Sequence, residues 1–324
     1  EGSRLSRGTH IRNLLESIRD EENIVSILPL SKDILENPDG HFLMFATKMG
    51  LIKKTSLSEY VKINRNGKYA LRFKREGDSL VNVRSATNDH DIVMISTTGY
   101  ASRFKCSAIR ASGRVSGGVF GIKVGDRKGS GGGSVAGMVA INDSEEQILT
   151  LSKLGMGKRS TIGTGERIAI LDEAGNQRMT DSGEPRFTTD GYRQTRPGAK
   201  GVRTMKLDEE FNDSIISVRK IPNPDDHIFL LTKKGMMIRT EVSQTKKTTG
   251  KATRGTRVME LRNKAKDGYD DEVIFSARLP AELIESSQKE AEEEFDMIDQ
   301  NSDGVIDKEE YIAAIKSGLL QEEE

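Results

Sequence analysis

A single phrase recurs four times along this chain. A chain that repeats itself in this way folds as an array of like units, each burying its apolar face on its neighbours. The phrase is an apolar run, then Thr or Ser, a short spacer, Gly and a basic residue. It reads His41-Phe-Leu-Met-Phe-Ala-Thr47-Lys-Met-Gly50-Leu-Ile-Lys53-Lys54-Thr55, then Asp91-Ile-Val-Met-Ile-Ser-Thr97-Thr-Gly99-Tyr-Ala-Ser-Arg103. The third copy is Gln147-Ile-Leu-Thr-Leu-Ser152-Lys-Leu-Gly155-Met-Gly-Lys158-Arg159 and the fourth His227-Ile-Phe-Leu-Leu-Thr232-Lys-Lys-Gly235-Met-Met-Ile-Arg239-Thr240. Each predicts a β-hairpin, two short apolar strands about a glycine turn.

A second phrase follows each hairpin, a basic loop with glycine and then a strand. The copies are Arg65-Asn-Gly67-Lys, Arg114-Val-Ser-Gly117-Gly118-Val, Arg196-Pro-Gly198-Ala-Lys200-Gly201-Val and Arg254-Gly255-Thr-Arg257-Val. A fifth, Ser6-Arg7-Gly8-Thr9-His-Ile, opens the chain with no hairpin before it. From hairpin glycine to loop glycine the separations are 17, 19, 46 and 20 residues, so the third unit carries an insertion, about 163–190, expected to be an extra hairpin. A third element closes the units, as in Asp78-Ser-Leu-Val-Asn-Val, Asp213-Ser-Ile-Ile-Ser-Val and Asp271-Glu-Val-Ile-Phe-Ser, with Glu22-Asn-Ile-Val-Ser-Ile closing the half-unit. Units of this size with four short strands predict the blades of an all-β radial array: four blades and the second half of a fifth over 1–280.

Net charge is zero in this 324-residue chain, with 50 basic and 50 acidic residues, but it is unevenly placed. Residues 281–324 hold 15 acidic and 3 basic side chains, leaving 47 basic and 35 acidic in the rest. A basic body with an acidic tail points to a polyanionic partner for the body. The one cysteine, Cys106, excludes an intrachain disulfide, and neither a membrane-length apolar run nor a signal peptide is present. A chain opening on Glu1 rather than Met is expected to be part of a longer one. Tryptophan is absent, which argues against a WD-repeat propeller.

The hairpin pattern Thr-x-x-Gly-x-x-Lys-Arg/Lys, the loop pattern Arg-x-x-Gly-x-Val and the segment Ser6-Arg-Gly-Thr-His-Ile-Arg-Asn-Leu-Leu15 together resemble the C-terminal domain of the A subunit of bacterial DNA gyrase. The resemblance covers roughly 1–280. It implies a β-pinwheel, a propeller-like ring of four-stranded blades that exchange strands, whose basic rim wraps duplex DNA in support of ATP-dependent negative supercoiling. It further implies the rest of the gyrase A subunit and the gyrase B subunit as partners, ATP and Mg2+ acting only through those absent parts, and a cytoplasmic, nucleoid-associated location with no membrane. The family's box, Gln-Arg-Arg-Gly-Gly-Lys-Gly, is not matched. Its nearest counterpart is Gln194-Thr-Arg-Pro-Gly-Ala-Lys-Gly201, one residue longer, so the related domain of topoisomerase IV stays open as an alternative.

Duplex DNA binds cationic surfaces because each neutralised phosphate releases counterions. The candidate contacts after the hairpin glycines are Lys53, Lys54, Arg103, Lys105, Lys158, Arg159 and Arg239. The loops contribute Arg7, Arg12, Arg110, Arg114, Arg193, Arg196, Lys200, Lys246, Lys247, Lys251, Arg254 and Arg257. No base-reading helix is apparent and aromatics are too few for stacking single strands, so duplex binding independent of sequence is expected. No catalytic constellation is found. The four histidines lie in different units, the run 129–134 lacks the Gly-Lys-Ser/Thr ending of a P-loop, and no tyrosine follows arginine as the family's DNA-cleaving tyrosine does.

The tail over 281–324 carries a different signal. Asp299-Gln-Asn301-Ser-Asp303-Gly304-Val305-Ile306-Asp307-Lys-Glu-Glu310 matches an EF-hand loop, flanked by helix-forming segments. Asp299, Asn301, Asp303, Asp307 and Glu310 would supply side-chain oxygens and Val305 a carbonyl, a set suited to Ca2+, with Mg2+ as the alternative ion. A small α-helical EF-hand after the pinwheel is therefore expected. The rival reading from another class is a calcium-regulated propeller that binds protein instead of DNA.

Overall fold

The computed structural model describes residues 9–10, 13, 18, 22–62, 67–125, 133–248, 253–263 and 268–284. In chain order the strands are β1 (Phe42–Thr47), β2 (Leu51–Ser56), β3 (Leu80–Ala86), β4 (Asp91–Ser96), β5 (Tyr100–Lys105), β6 (Val119–Phe120) and β7 (Val135–Ile141). Next come β8 (Gln147–Ser152), β9 (Met156–Thr161), β10 (Arg167–Ala169), β11 (Phe187–Thr189), β12 (Val202–Arg203) and β13 (Ile215–Ile221). The last are β14 (His227–Thr232), β15 (Met237–Glu241), β16 (Thr256–Arg257), β17 (Arg262–Asn263), β18 (Gly268–Tyr269) and β19 (Val273–Leu279). Among the described residues, no helix is long and apolar enough to cross a membrane.

Four antiparallel blade sheets result, ordered β3-β1-β2-β6, β7-β4-β5-β12, β13-β8-β9-β16 and β19-β14-β15, beside the two-stranded sheets β10-β11 and β17-β18. The hairpin and closing strand of each blade come from one unit, as the repeat predicts. The fourth strand does not. β6, β12 and β16 follow the basic loops of the second, third and fourth units, and each adds to the hairpin of the unit before it. Every blade but the last is thus completed by its successor. The closing strands sit innermost, with β3 packed on β7, β7 on β13 and β13 on β19. The exchanged strands therefore lie at the outer edge.

Polar residues of the repeated phrase close the turns. The hydroxyls of Thr47, Ser96, Ser152 and Thr232 accept from the backbone amides of Leu51, Tyr100, Met156 and Met236, at 3.1–3.4 Å. In the second unit the equivalent residue is thus Ser96 and not Thr97, whose hydroxyl instead accepts from Ser134 N at 3.0 Å. The aspartates that open the closing strands reach back to the same turns: Asp78 to Met49 N (2.9 Å), Asp213 to Leu154 N (3.2 Å) and Asp271 to Lys234 N (3.1 Å).

The core lies between blades. In β4, Ile92 and Met94 join Met44, Ile52, Phe104 and Met138 on one side, while Val93 and Ile95 join Val139, Ile148 and Val218 on the other. A third cluster, around Leu149, Leu151, Ile228 and Leu230, fills the space between blades three and four. Because a blade has neighbours on both faces, its strands read as continuous apolar runs and not as alternation. The insertion stands apart from these clusters. β10 pairs with β11, and isolated bridges join Leu171 to Gln177 and Met179 to Pro185, so the expected turn at 172–176 lies within an exposed two-stranded sheet.

Candidate nucleic-acid interface

Register separates the cations that follow the hairpin glycines into two sets. Lys53, Ser102, Lys158 and Ile238 are equivalent, opposite Phe45, Met94, Thr150 and Leu230. Lys54, Arg103, Arg159 and Arg239 occupy the next position, opposite Met44, Val93, Leu149 and Phe229. The expectation that all of them face a polyanion is corrected for four: Lys53, Lys54, Arg103 and Lys158 are buried, at 1%, 3%, 5% and 2% exposure. The incoming loop of the next unit covers the second hairpin strand. Its backbone carbonyls leave water and need donors there.

The buried cations donate to backbone carbonyls of their own unit as well as of the next. Lys53 Nζ donates to the carbonyls of Ala70 and Arg114, and Lys158 Nζ to that of Thr204. Ser102, in the same place, donates to Gly121 O at 3.2 Å. Lys54 Nζ lies 3.1 Å from Cys106 O and 4.0 Å from the centre of the Phe42 ring. Arg103 pairs with buried Asp91 through Nε at 2.9 Å and donates to the carbonyls of Gly163 (2.7 Å) and Tyr192 (2.8 Å). Burial pulls the Lys158 ammonium down to about 8, and burial together with the charge of Arg114 does the same for Lys53. These side chains tie the basic loops to the blades instead of meeting a ligand.

The remaining candidates reach the surface. Lys105, Arg110, Arg193, Arg196, Arg239, Lys246, Lys247, Arg254 and Arg257 are exposed, and Arg114, Arg159 and Lys200 are partly so. Several have carboxylate neighbours: Lys105 with Asp91 (3.1 Å), Arg114 with Glu59 (3.3 Å), Arg254 with Asp208 (3.4 Å) and Arg257 with Glu260. Such exposed pairs are weak and exchangeable. Arg7, Arg12 and Lys251 lie outside the described residues, as do Asp299, Asn301, Asp303, Val305, Asp307 and Glu310 of the expected metal loop. Among the described residues, no group of three or more His, Cys, Asp or Glu could hold a metal.

Other outer-edge cations escaped the sequence reading. Arg75 sits 5.0 Å over the ring of Phe120, a residue of β6, and Lys74 Nζ donates to Gly118 O at 2.6 Å. At the second blade, Lys200 and Arg203 approach the Tyr100 ring at 4.7 and 5.3 Å. The Arg203 guanidinium donates to Tyr100 Oη at 3.2 Å, and that bond is the main reason the phenol titrates below its usual range. At the third blade, Lys206 and Arg262 join Arg254 and Arg257 around a small cavity. One signal was available in the sequence, since Arg203 follows Gly201-Val202 as Arg257 follows Gly255-Thr256. At three successive blades cations thus gather on or beside the exchanged strand. Such a surface can neutralise a row of phosphates without reading bases.

Comparison with known proteins agrees with this architecture. The family described as DNA gyrase C-terminal domain, beta-propeller, matches residues 41–87, 90–141, 186–222 and 226–277. The DNA gyrase A subunit of Staphylococcus epidermidis is 32% identical over 262 residues, covering 81% of this chain and 25% of that protein. The Deinococcus deserti protein of the same description is also 32% identical over 262 residues, covering 81% of this chain and 28% of that protein. The chain therefore spans about a quarter of the length of the curated relatives it matches. Among solved structures, the C-terminal domain of DNA topoisomerase IV superimposes with a TM-score of 0.64 at 18% identity, over 88% of this chain and 75% of that one. The DNA gyrase A C-terminal domain gives 0.60 at 20% identity, over 85% and 76%. Both structures share the fold.

Proposed function

The chain belongs to the DNA gyrase C-terminal domain family, and from that footing we propose that it binds and wraps duplex DNA without regard to sequence. The observation that carries the reading is the gathering of solvent-reaching cations on or beside the exchanged strand at three successive blades: Arg75 over β6, Arg203 on β12 and Arg257 on β16. Bending a duplex round such an edge costs ~1–6 kcal/mol by elastic estimates, which many phosphate contacts offset. In this reading the domain works as part of the gyrase A subunit, with the gyrase B subunit as partner, in ATP-dependent negative supercoiling in the bacterial cytoplasm on nucleoid DNA. The family match and the 32% relatives support gyrase over topoisomerase IV.

The test is duplex binding across a range of salt. The logarithm of affinity should fall linearly with that of salt concentration, with a slope of about −0.9 per phosphate neutralised. Neutralising exposed Arg110, Arg196, Lys246 and Lys247 to Gln should flatten that slope, and religation of nicked circles on the protein should shift their linking number. Binding that ignores salt would overturn the reading in favour of a protein ligand.

The tail is part of the proposal. The pattern of Asp299, Asn301, Asp303, Asp307 and Glu310 supports one Ca2+ site, through which the cation modulates DNA binding. Calorimetry of the whole chain should detect one Ca2+ that is lost in D299A and E310A. Equal heats in both variants and the parent would remove the metal from the account.

A further inference from the structure

The outer edge of the third blade holds a cavity of about 100 Å³ that continues the cationic surface inward. It forms where the blade-three turn, at Leu154 and Met156, meets the loop of the following unit. That junction is close, because the Gly255 and Gly155 backbones cross: a Cβ on Gly155 would stand 2.4 Å from Met259 O, and one on Gly255 2.2 Å from Gly157 O. Lys206, Arg254, Arg257 and Arg262 line the cavity, with Tyr269 in its wall. Asp208 and Asp213 also line it. Asp213 is committed to the turn, accepting from Leu154 N and Ser214 N, and Asp208 pairs with Arg254 at 3.4 Å. Arg257 pairs with Glu260. Lys206, exposed, has no carboxylate partner among the described residues.

We infer that this cavity is a seat for one phosphate group, gripped by Lys206, Arg257 and Arg262. The chemistry of the lining selects that ligand. Four lining cations outnumber the three carboxylates beside them, Asp208, Asp213 and Glu260, and guanidinium forks match phosphate oxygens in pairs. A phosphate entering would replace Glu260 on Arg257, an exchange of one surface pair for a more enclosed one. Two units build the seat, so it exists only once the fourth unit has lent β16 to the third blade. As a seat for a DNA phosphate it rests on the proposed function, and the same chemistry would also take free inorganic phosphate.

Two measurements on the full chain separate these cases: duplex affinity against salt, and calorimetry with inorganic phosphate, each on the parent, Lys206→Gln and Lys206→Gln/Arg262→Gln. The expected result is a salt slope smaller in magnitude by about one in the double variant, as for a single lost phosphate contact, with phosphate heats reduced several-fold. The single variant lies on an exposed side chain and keeps the test open if the double one does not fold. A parent slope that is steep but unchanged in both variants, with no phosphate heat, overturns the seat and leaves DNA binding standing. A parent indifferent to salt whose phosphate heat vanishes in the variants supports the seat for free phosphate and defeats the DNA reading. Neither signal in the parent overturns both.

Discussion

At the scale of single residues, the recurrent basic position of the hairpin phrase is a device of the interior. Asp91 and Arg103 are each 6% exposed at the side chain and face one another. Breaking a buried pair leaves a charge without compensation, at a cost of about 3–5 kcal/mol. D91A should therefore lose stability on that scale in urea unfolding, and D91A/R103M should recover much of it. Lys53 and Lys158 give a pH signature. Their folded value of about 8 lies below the ordinary 10.5, so between those limits the unfolded chain holds protons that the folded one has released. Stability should then rise as pH climbs from about 8 toward 10.5. K53M/K158M should flatten that rise, and an unflattened one would mean the ammonium groups are not confined as described. None of this was legible from the sequence, because Lys54 and Arg239 hold the same place in the phrase while one is buried and the other exposed.

At the scale of elements, strand exchange makes equivalent glycines unequal. Gly155 and Gly235 both close a hairpin, with φ of 80° and 85°. A Cβ on Gly235 meets nothing within 4 Å, whereas one on Gly155 collides with the Met259 carbonyl. G235A should cost only the strain of left-handed backbone, about 1–2 kcal/mol. G155A should cost more, and it should also lower hydrogen-exchange protection at Val258 and Met259, whose amides bond Gly155 O at 2.9 and 3.2 Å. Equal costs at the two sites would contradict the exchange. The insertion over 163–190 makes the opposite case. Its residues from 164 to 188 are nearly all exposed, and the Gly163 amide bonds Ser144 O back in the blade. Replacing 167–187 with a short Gly/Ser turn should therefore shift the urea midpoint little, since loop length itself costs little.

At the scale of the whole molecule, the blades share cores and cannot unfold singly. Strands β4, β5, β7, β8 and β13 each contribute to two clusters, so calorimetric unfolding of the four blades should be cooperative and not a series of steps. Charge works over the same distance. A body with 47 basic and 35 acidic residues carries a tail with 15 acidic and 3 basic. Removing 285–324 should raise duplex affinity at low salt, with the gain fading as salt rises because screening acts over about 10 Å at 0.1 M. An effect independent of salt would point away from electrostatic competition.

The hairpins, the closing strands of the complete units, the turns and the division of charge are legible in the sequence alone. Each rests on local chemistry: glycine at a turn, a hydroxyl three residues before it, apolar runs that only a blade covered on both faces can bury. The strands expected after Gly67 and over Glu22–Ile27, by contrast, do not form among the described residues. Which unit completes which blade was decided by tertiary structure, as was which cations stay outside. β16 and β9 are nearly a hundred residues apart in the chain and meet at Thr256–Gly157. That pairing covers Lys158 and leaves Arg257 in water. Nothing local distinguishes the two side chains. Burial is a property of what packs on a strand, and here that partner arrives from the following unit.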